Sequence, residues 1–163
     1  MAKLLASGIE PRSVELLDTT CISAINNSLA KSIAPFPLKP HIFFRVSGSA
    51  DIVPKQQKAL TSVLAKAGGT QLRIARNTKE AEDLWDIRKN LAYRLIAAFP
   101  GSEIISADVC VPISRLPALI EQYKRDEEKI NADIEQSANG ENVKRLSSLI
   151  LGHVGDGNFH SMM

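Results

Sequence analysis

Apolar residues recur along this chain with two different periods, and the alternation between them predicts a layered mixture of helices and strands. Pro11 followed by SVELLD, with apolar positions continuing through Ile22 and Ile25, predicts a helix over about 13–31 with Ser13 as its cap. The stretch 34–40 holds Pro35, Pro37 and Pro40 and is read as a rigid linker. HIFFRVSG, rich in aromatic and β-branched residues and ending at Gly48, predicts a strand. Ala59, Leu60, Val63, Leu64 and Ala67 then fall at helical spacing, so a helix is expected over 54–67, stopped by Gly68 and Gly69. TQLRIA (70–75) predicts a second strand, and a long helix is expected over 78–97, opened by Asn77 or Thr78 and closed by Pro100. EIISADVCV (103–111) reads as a third strand, 114–130 as a helix that breaks near SANG (137–140), and SSLILGHV as a strand running into Gly155. This order implies an α+β sandwich, with helices layered on a mostly antiparallel four-stranded sheet.

Composition narrows the partners. At 163 residues, 44% hydrophobic and 23% charged, the chain suits one globular domain with a real core. Lys and Arg number 20 against 18 Asp and Glu, and the net charge of +2 argues against nucleic acid or an anionic membrane surface as a partner. The most charged stretch, EQYKRDEEK (121–129), mixes signs as a solvated helix face does. Cys21 and Cys110 match neither a CxxC redox pair nor a zinc ribbon, which points to a reducing compartment. No apolar run is long enough to span a membrane, and MAKLLASGIEPRS has no signal-peptide pattern.

Two features exceed what packing alone requires. On a helical wheel of about 100° per residue, Leu84, Leu91 and Leu95 centre the apolar stripe of the 78–97 helix, and Arg88 falls inside it. A guanidinium facing a core needs an anion, because an unpaired buried charge costs several kcal/mol. The candidates are an internal carboxylate such as Glu103 or Asp108, snorkelling from the helix end, or the carboxylate of a ligand, which a planar guanidinium fork matches well. On the following strand, alternation sets Ser106, Asp108 and Cys110 on one face, with Cys110 read as a small packing residue.

The second feature is GHVGDGNFH (152–160). Four turn-forming residues, Gly155 to Asn158, predict a hairpin that pairs Val154 with Phe159 and sets His153 opposite His160. Opposed residues have Cβ atoms about 4.5–5.5 Å apart on one face, within reach of a shared divalent metal. A glycine hairpin with two exposed histidines explains the spacing equally well, and two ligands do not make a complete site. Asp156 reads as a turn former and His41 as incidental.

LWDIRK (84–89), ADVCVPISRLPALI (107–120) and GHVGDGNFH together resemble the C-terminal domain of FAD-linked oxidases of the vanillyl-alcohol-oxidase type, over nearly the whole chain. Within that family the similarity is greatest to the D-lactate dehydrogenase (cytochrome) branch. The resemblance implies a ferredoxin-like cap over the flavin, FAD held mainly by another domain, Arg88 clamping the substrate carboxylate, and His153 and His160 holding a divalent cation such as zinc or manganese. It further implies D-lactate as substrate, cytochrome c as electron acceptor and a mitochondrial location. Relatives acting on 2-hydroxyglutarate carry a Lys near the position of Ser106 and an Asn near Met162, and this chain has neither, which favours a small monocarboxylate. The family places a third metal ligand, Glu, and a catalytic His beyond the position of Met163, and a flavin domain of about 200 residues ahead of this region. The chain is therefore expected to be a fragment that contains no catalytic base and is inactive alone. A glycolate or 2-hydroxyglutarate dehydrogenase, and a non-catalytic α+β binding or dimerisation module, are the competing readings.

Overall fold

The computed structural model describes residues 4, 9–29, 33–101, 103–138 and 142–163. The end of the first expected helix (30–31) and part of the expected SANG break (139–140) lie outside the described residues.

The first surprise is at SVELL, which forms a strand, β1 (Ser13–Leu17), and not the start of a helix. The helix that follows, α1 (Thr19–Ser28), is capped by Asp18, whose carboxylate accepts the Cys21 amide at 2.9 Å. A short apolar run carries no period that separates strand from helix, and here tertiary pairing decides. β1 lies between two neighbours and buries both faces, with Val14, Glu15 and Leu17 all inaccessible.

β2 (His41–Arg45) and α2 (Ile52–Lys66) fall close to their expected places. TQLRIA does not form a strand: Gln71 takes φ 58, and Leu72 and Ile74 stay 49% and 43% exposed with no ladder partner. The expected 78–97 helix divides into α3 (Thr78–Lys89) and α4 (Leu91–Ala98). At the junction Asn90 turns its side-chain amide back to the Asp86 carbonyl (3.1 Å), the kind of local bond that bends a helix. Asn77 caps α3, accepting the Glu80 amide at 2.9 Å. β3 (Ser106–Cys110), a 3₁₀ turn at Ile113–Arg115, α5 (Leu116–Ser137), β4 (Leu149–Gly152) and β5 (Asn158–Met162) complete the chain.

The architecture is α+β, and the sheet has five strands where four were expected, because β1 and β5 join and TQLRIA drops out. The order is β2-β1-β4-β5-β3, antiparallel throughout. One face packs Leu17, Leu149 and Leu151 against Ile22 and Ile25 of α1, Ile87 of α3 and Leu91 and Leu95 of α4. The other packs Val14, Ile150 and Phe159 against Leu116, Leu119, Ile120 and Tyr123 of α5. Leu60 of α2 joins a smaller cluster with Ile9 and Leu4.

The β4–β5 hairpin is tighter against its neighbours than its sequence suggests. Gly157 has φ 77, and a Cβ there would meet the Val111 carbonyl oxygen at 2.1 Å. Gly157→Ala is expected to cost on the order of 2–4 kcal/mol from strain and clash together. Gly68→Ala, at φ 82 with nothing within 4 Å, isolates the backbone term and should cost about 1 kcal/mol. Urea denaturation midpoints of the two variants measure the difference, and equal losses would contradict the packing argument.

Candidate functional site

Glu15 is the residue from which the site is built. On the pleated sheet it shares a face with Leu17, but its side chain lies where apolar packing stops. It is 3% exposed. A buried carboxylate requires partners, and it has two. Arg88, reaching in from α3, donates Nε and Nη2 to Oε2 at 3.1 and 3.0 Å. His153 Nδ1 lies 2.7 Å from Oε1.

Arg88 thus sits on the inward stripe as expected, 14% exposed at its side chain, but its internal partner is neither Glu103 nor Asp108. A helix over SVELLD leaves those two carboxylates as the natural candidates, and the strand that forms there brings Glu15 to Arg88 instead. The signal that could have found Glu15 is a lone acidic residue inside the run Val14-Glu15-Leu16-Leu17. Among the described residues, the Nη1 edge of Arg88 makes no hydrogen bond.

The hairpin differs from its expected register. β4 and β5 pair Leu149 with Met162, Ile150 with Ser161 and Leu151 with His160, so His160 faces Leu151 and not His153. The turn is longer than expected because the His153 carbonyl accepts two amides, Asp156 at 2.9 Å and Asn158 at 3.3 Å. Val154 does not pair with Phe159 but folds into the opposite core. A shift of one residue would have separated the two histidines to opposite faces, whereas this shift is by two and keeps them together. Their ring centroids are 5.6 Å apart, nearly perpendicular at 87°. His160 has its own carboxylate, with Asp108 Oδ1 3.3 Å from its Nδ1. Asp108 is placed there by the β3–β5 register, which sets it directly across from His160. Asn158, which the sequence reading treated only as a turn former, donates Nδ2 to Asp108 and to the Val109 carbonyl, and its buried Oδ1 has no partner.

Both imidazoles therefore present Nδ1 to a carboxylate, a geometry that leaves Nε2 of each available as a donor to an ion. This fits two donors of a divalent-metal site. It does not amount to a whole one: no group of three or more His, Cys, Asp or Glu side chains able to hold a metal occurs among the described residues. The glycine turn does not supply a phosphate cradle for FAD, because Gly155 and Gly157 are packed against Val14 and the Val111 carbonyl of this same chain. Neither cysteine takes part. Burial, followed by the nearby Asp18, pushes the Cys21 thiol far up, and it points to the Ile150 carbonyl. A groove of about 610 Å³ beneath β2, lined by Phe43, Leu60 and Trp85 among others, contains none of Arg88, His153 or His160.

A family model described as FAD linked oxidases, C-terminal domain, matches residues 1–163. The chain belongs to this family. It is 30% identical over 96% of its length to the mitochondrial D-lactate dehydrogenase [cytochrome] of Arabidopsis thaliana and 31% identical over 99% to a probable mitochondrial D-lactate dehydrogenase of Danio rerio. It is also 25% identical over 98% of its length to the glycolate oxidase subunit GlcD of Escherichia coli strain K12. These matches cover 25%, 29% and 29% of the relatives, so this FAD-linked oxidase domain spans between a quarter and a third of their length. These relatives are named as D-lactate dehydrogenases and as a subunit of a glycolate oxidase. No described helix is long and apolar enough to cross a membrane.

Arg88→Met leaves Glu15 as a buried carboxylate without its cation and is expected to cost about 3–5 kcal/mol. The double variant Glu15→Met with Arg88→Met should recover most of that loss, since replacing both members of a buried pair is often neutral. A double-mutant cycle by chemical denaturation gives the coupling, and additive losses would show that the pair is not coupled.

Proposed function

We propose that this chain is the substrate-facing part of an FAD-dependent D-lactate dehydrogenase of the cytochrome-linked kind, oxidising D-lactate to pyruvate. The observation that carries the reading is one buried carboxylate, that of Glu15, which joins Arg88 to His153 at a site shared with His160. In this reading the Nη1 edge of Arg88 receives the substrate carboxylate, while its Nε and Nη2 groups stay anchored. His153 and His160 would contribute Nε2 atoms to a divalent cation, zinc or manganese, with imidazole suited to both. When bound, such a cation supplies a Lewis acid for the 2-hydroxyl and FAD supplies a hydride acceptor for C2. The chain's own residues bind and orient: Arg88 fixes the carboxylate end, and the two imidazoles mark the hydroxyl end. The base that removes the hydroxyl proton, a third metal ligand and the flavin's pyrophosphate cradle are assigned to parts of the enzyme outside this chain.

Substrate size follows from the row of residues beside His160. On the same face, the next pair along β3 and β5 is Ser106 with Met162, which offers no cation for a second carboxylate. This favours lactate over 2-hydroxyglutarate. Glycolate is the second reading, supported by the similarity to a glycolate oxidase subunit. A cytochrome as electron acceptor, cytochrome c in this reading, draws on the name of the Arabidopsis relative, and a mitochondrial location on the names of both.

Two measurements test the proposal. In a full-length enzyme, Arg88→Lys should lower kcat/KM for D-lactate by one or more orders of magnitude with folding little changed, because an ammonium cannot keep Glu15 on one edge and grip a carboxylate on the other. Unchanged kinetics would return Arg88 to a purely structural ion pair, and a preference for glycolate in the wild type would favour the second reading. The 163-residue chain alone is expected neither to retain FAD nor to reduce a dye with D-lactate, even with added FAD and zinc. A yellow protein with turnover would overturn the division of labour proposed above.

A further inference from the structure

The relation between Glu15 and its two partners assigns it more than a structural role. We infer that Glu15 is the positioning residue of this site: it fixes His153 as the Nδ1–H tautomer, with the Nε2 lone pair facing outward, and holds Arg88 in register with it. The inference deepens the proposed metal and substrate contacts and rests on that reading for its consequences, though not for its test.

Arg88 has no acceptor, so both of its contacts on Oε2 are donations, and a carboxylate paired with a guanidinium is ionised and can only accept. The ring nitrogen 2.7 Å from Oε1 must therefore carry the proton. A neutral imidazole has one N–H, so fixing it on Nδ1 leaves Nε2 as the lone-pair nitrogen, the form that binds a cation. Burial makes the hold stiff: Glu15 is 3% exposed, on a central strand of the sheet. The other carboxylate in the site is a weaker version of the same device. Asp108 lies 3.3 Å from His160 Nδ1 and its side chain is 65% exposed. The two histidines are thus unequal, with His153 oriented from inside the fold and His160 from its surface.

Glu15→Gln separates this role from simple packing. An amide has one oxygen, and the two charged Arg88 donors that converge on Oε2 claim it. The amide NH₂ then faces His153 Nδ1, which must turn acceptor, moving the proton to Nε2 and blocking the metal-binding lone pair. The experiment records imidazole ¹⁵N shifts of the full chain at a pH above the ordinary histidine titration range, alongside zinc affinity by calorimetry. The expected result is a wild-type His153 protonated on Nδ1, its inversion to the Nε2–H form in Glu15→Gln, and a zinc affinity lowered by roughly 10–100-fold. The His160 tautomer should not change. If Glu15→Gln does not fold, Glu15→Asp keeps the charge beside Arg88 but is too short to reach both partners, and a mixed His153 tautomer is expected. A wild-type His153 protonated on Nε2, or a tautomer indifferent to either substitution, overturns the inference. Zinc bound equally by wild type and Glu15→Gln also overturns it while leaving the metal reading intact. A tautomer that depends on Glu15 in a chain without measurable zinc affinity upholds the positioning role, because the third metal ligand is assigned outside this chain and two imidazoles alone bind zinc weakly.

Discussion

The structure depends on keeping one ionised carboxylate inside a β-sheet. Glu15 lies on a strand hydrogen-bonded on both edges and covered on both faces, where an isolated anion would cost several kcal/mol, a large fraction of one domain's stability. It is tolerated because three N–H groups converge on its two oxygens, from a helix that follows it by more than 70 residues and from a hairpin more than 130 residues away. Those contacts hold α3 against β1 and β1 against the hairpin. The ion pair is therefore also a tertiary tie, and it brings Arg88 and His153 to one place beside His160.

Around that tie, one face of the sheet is divided in two. Leu17, Leu149 and Leu151 take the helices α1 and α4 and form a dry core. The buried Glu15 and the partly open His153, His160 and Asp108 occupy the neighbouring positions, with the His153 side chain 46% exposed. Apolar burial on the first half supplies the rigidity that a polar constellation on the second half needs in order to hold its geometry.

Strand parity is the other constraint. The hairpin register differs from the simplest reading of its turn residues, yet the histidines still meet, because side chains on a strand repeat every two positions. The glycines of the turn serve the same end. Gly157 presses against the Val111 carbonyl, and a Cβ on Gly152 would fall 2.4 Å from the Phe159 Cα, so the hairpin closes only with these residues bare.

Local signals in the sequence determined much of this protein: the α+β class, the strands at 41–45 and 106–110, the helix after Asp51, the Asn77 cap, and a cation on the inward stripe of α3. Each follows from interactions within one turn or one strand. The motifs around Arg88 and in GHVGDGNFH were enough to indicate the family, which the match over the whole chain bears out. Tertiary structure alone decided the rest. SVELL reads equally as strand or helix until β2 and β4 pair with it, and TQLRIA has strand composition but no neighbour to complete its ladder. The partner of Arg88 could not be named while Glu15 was assigned to the wrong element. Its contacts cross 73 and 138 residues of chain, and no local period carries information over such distances.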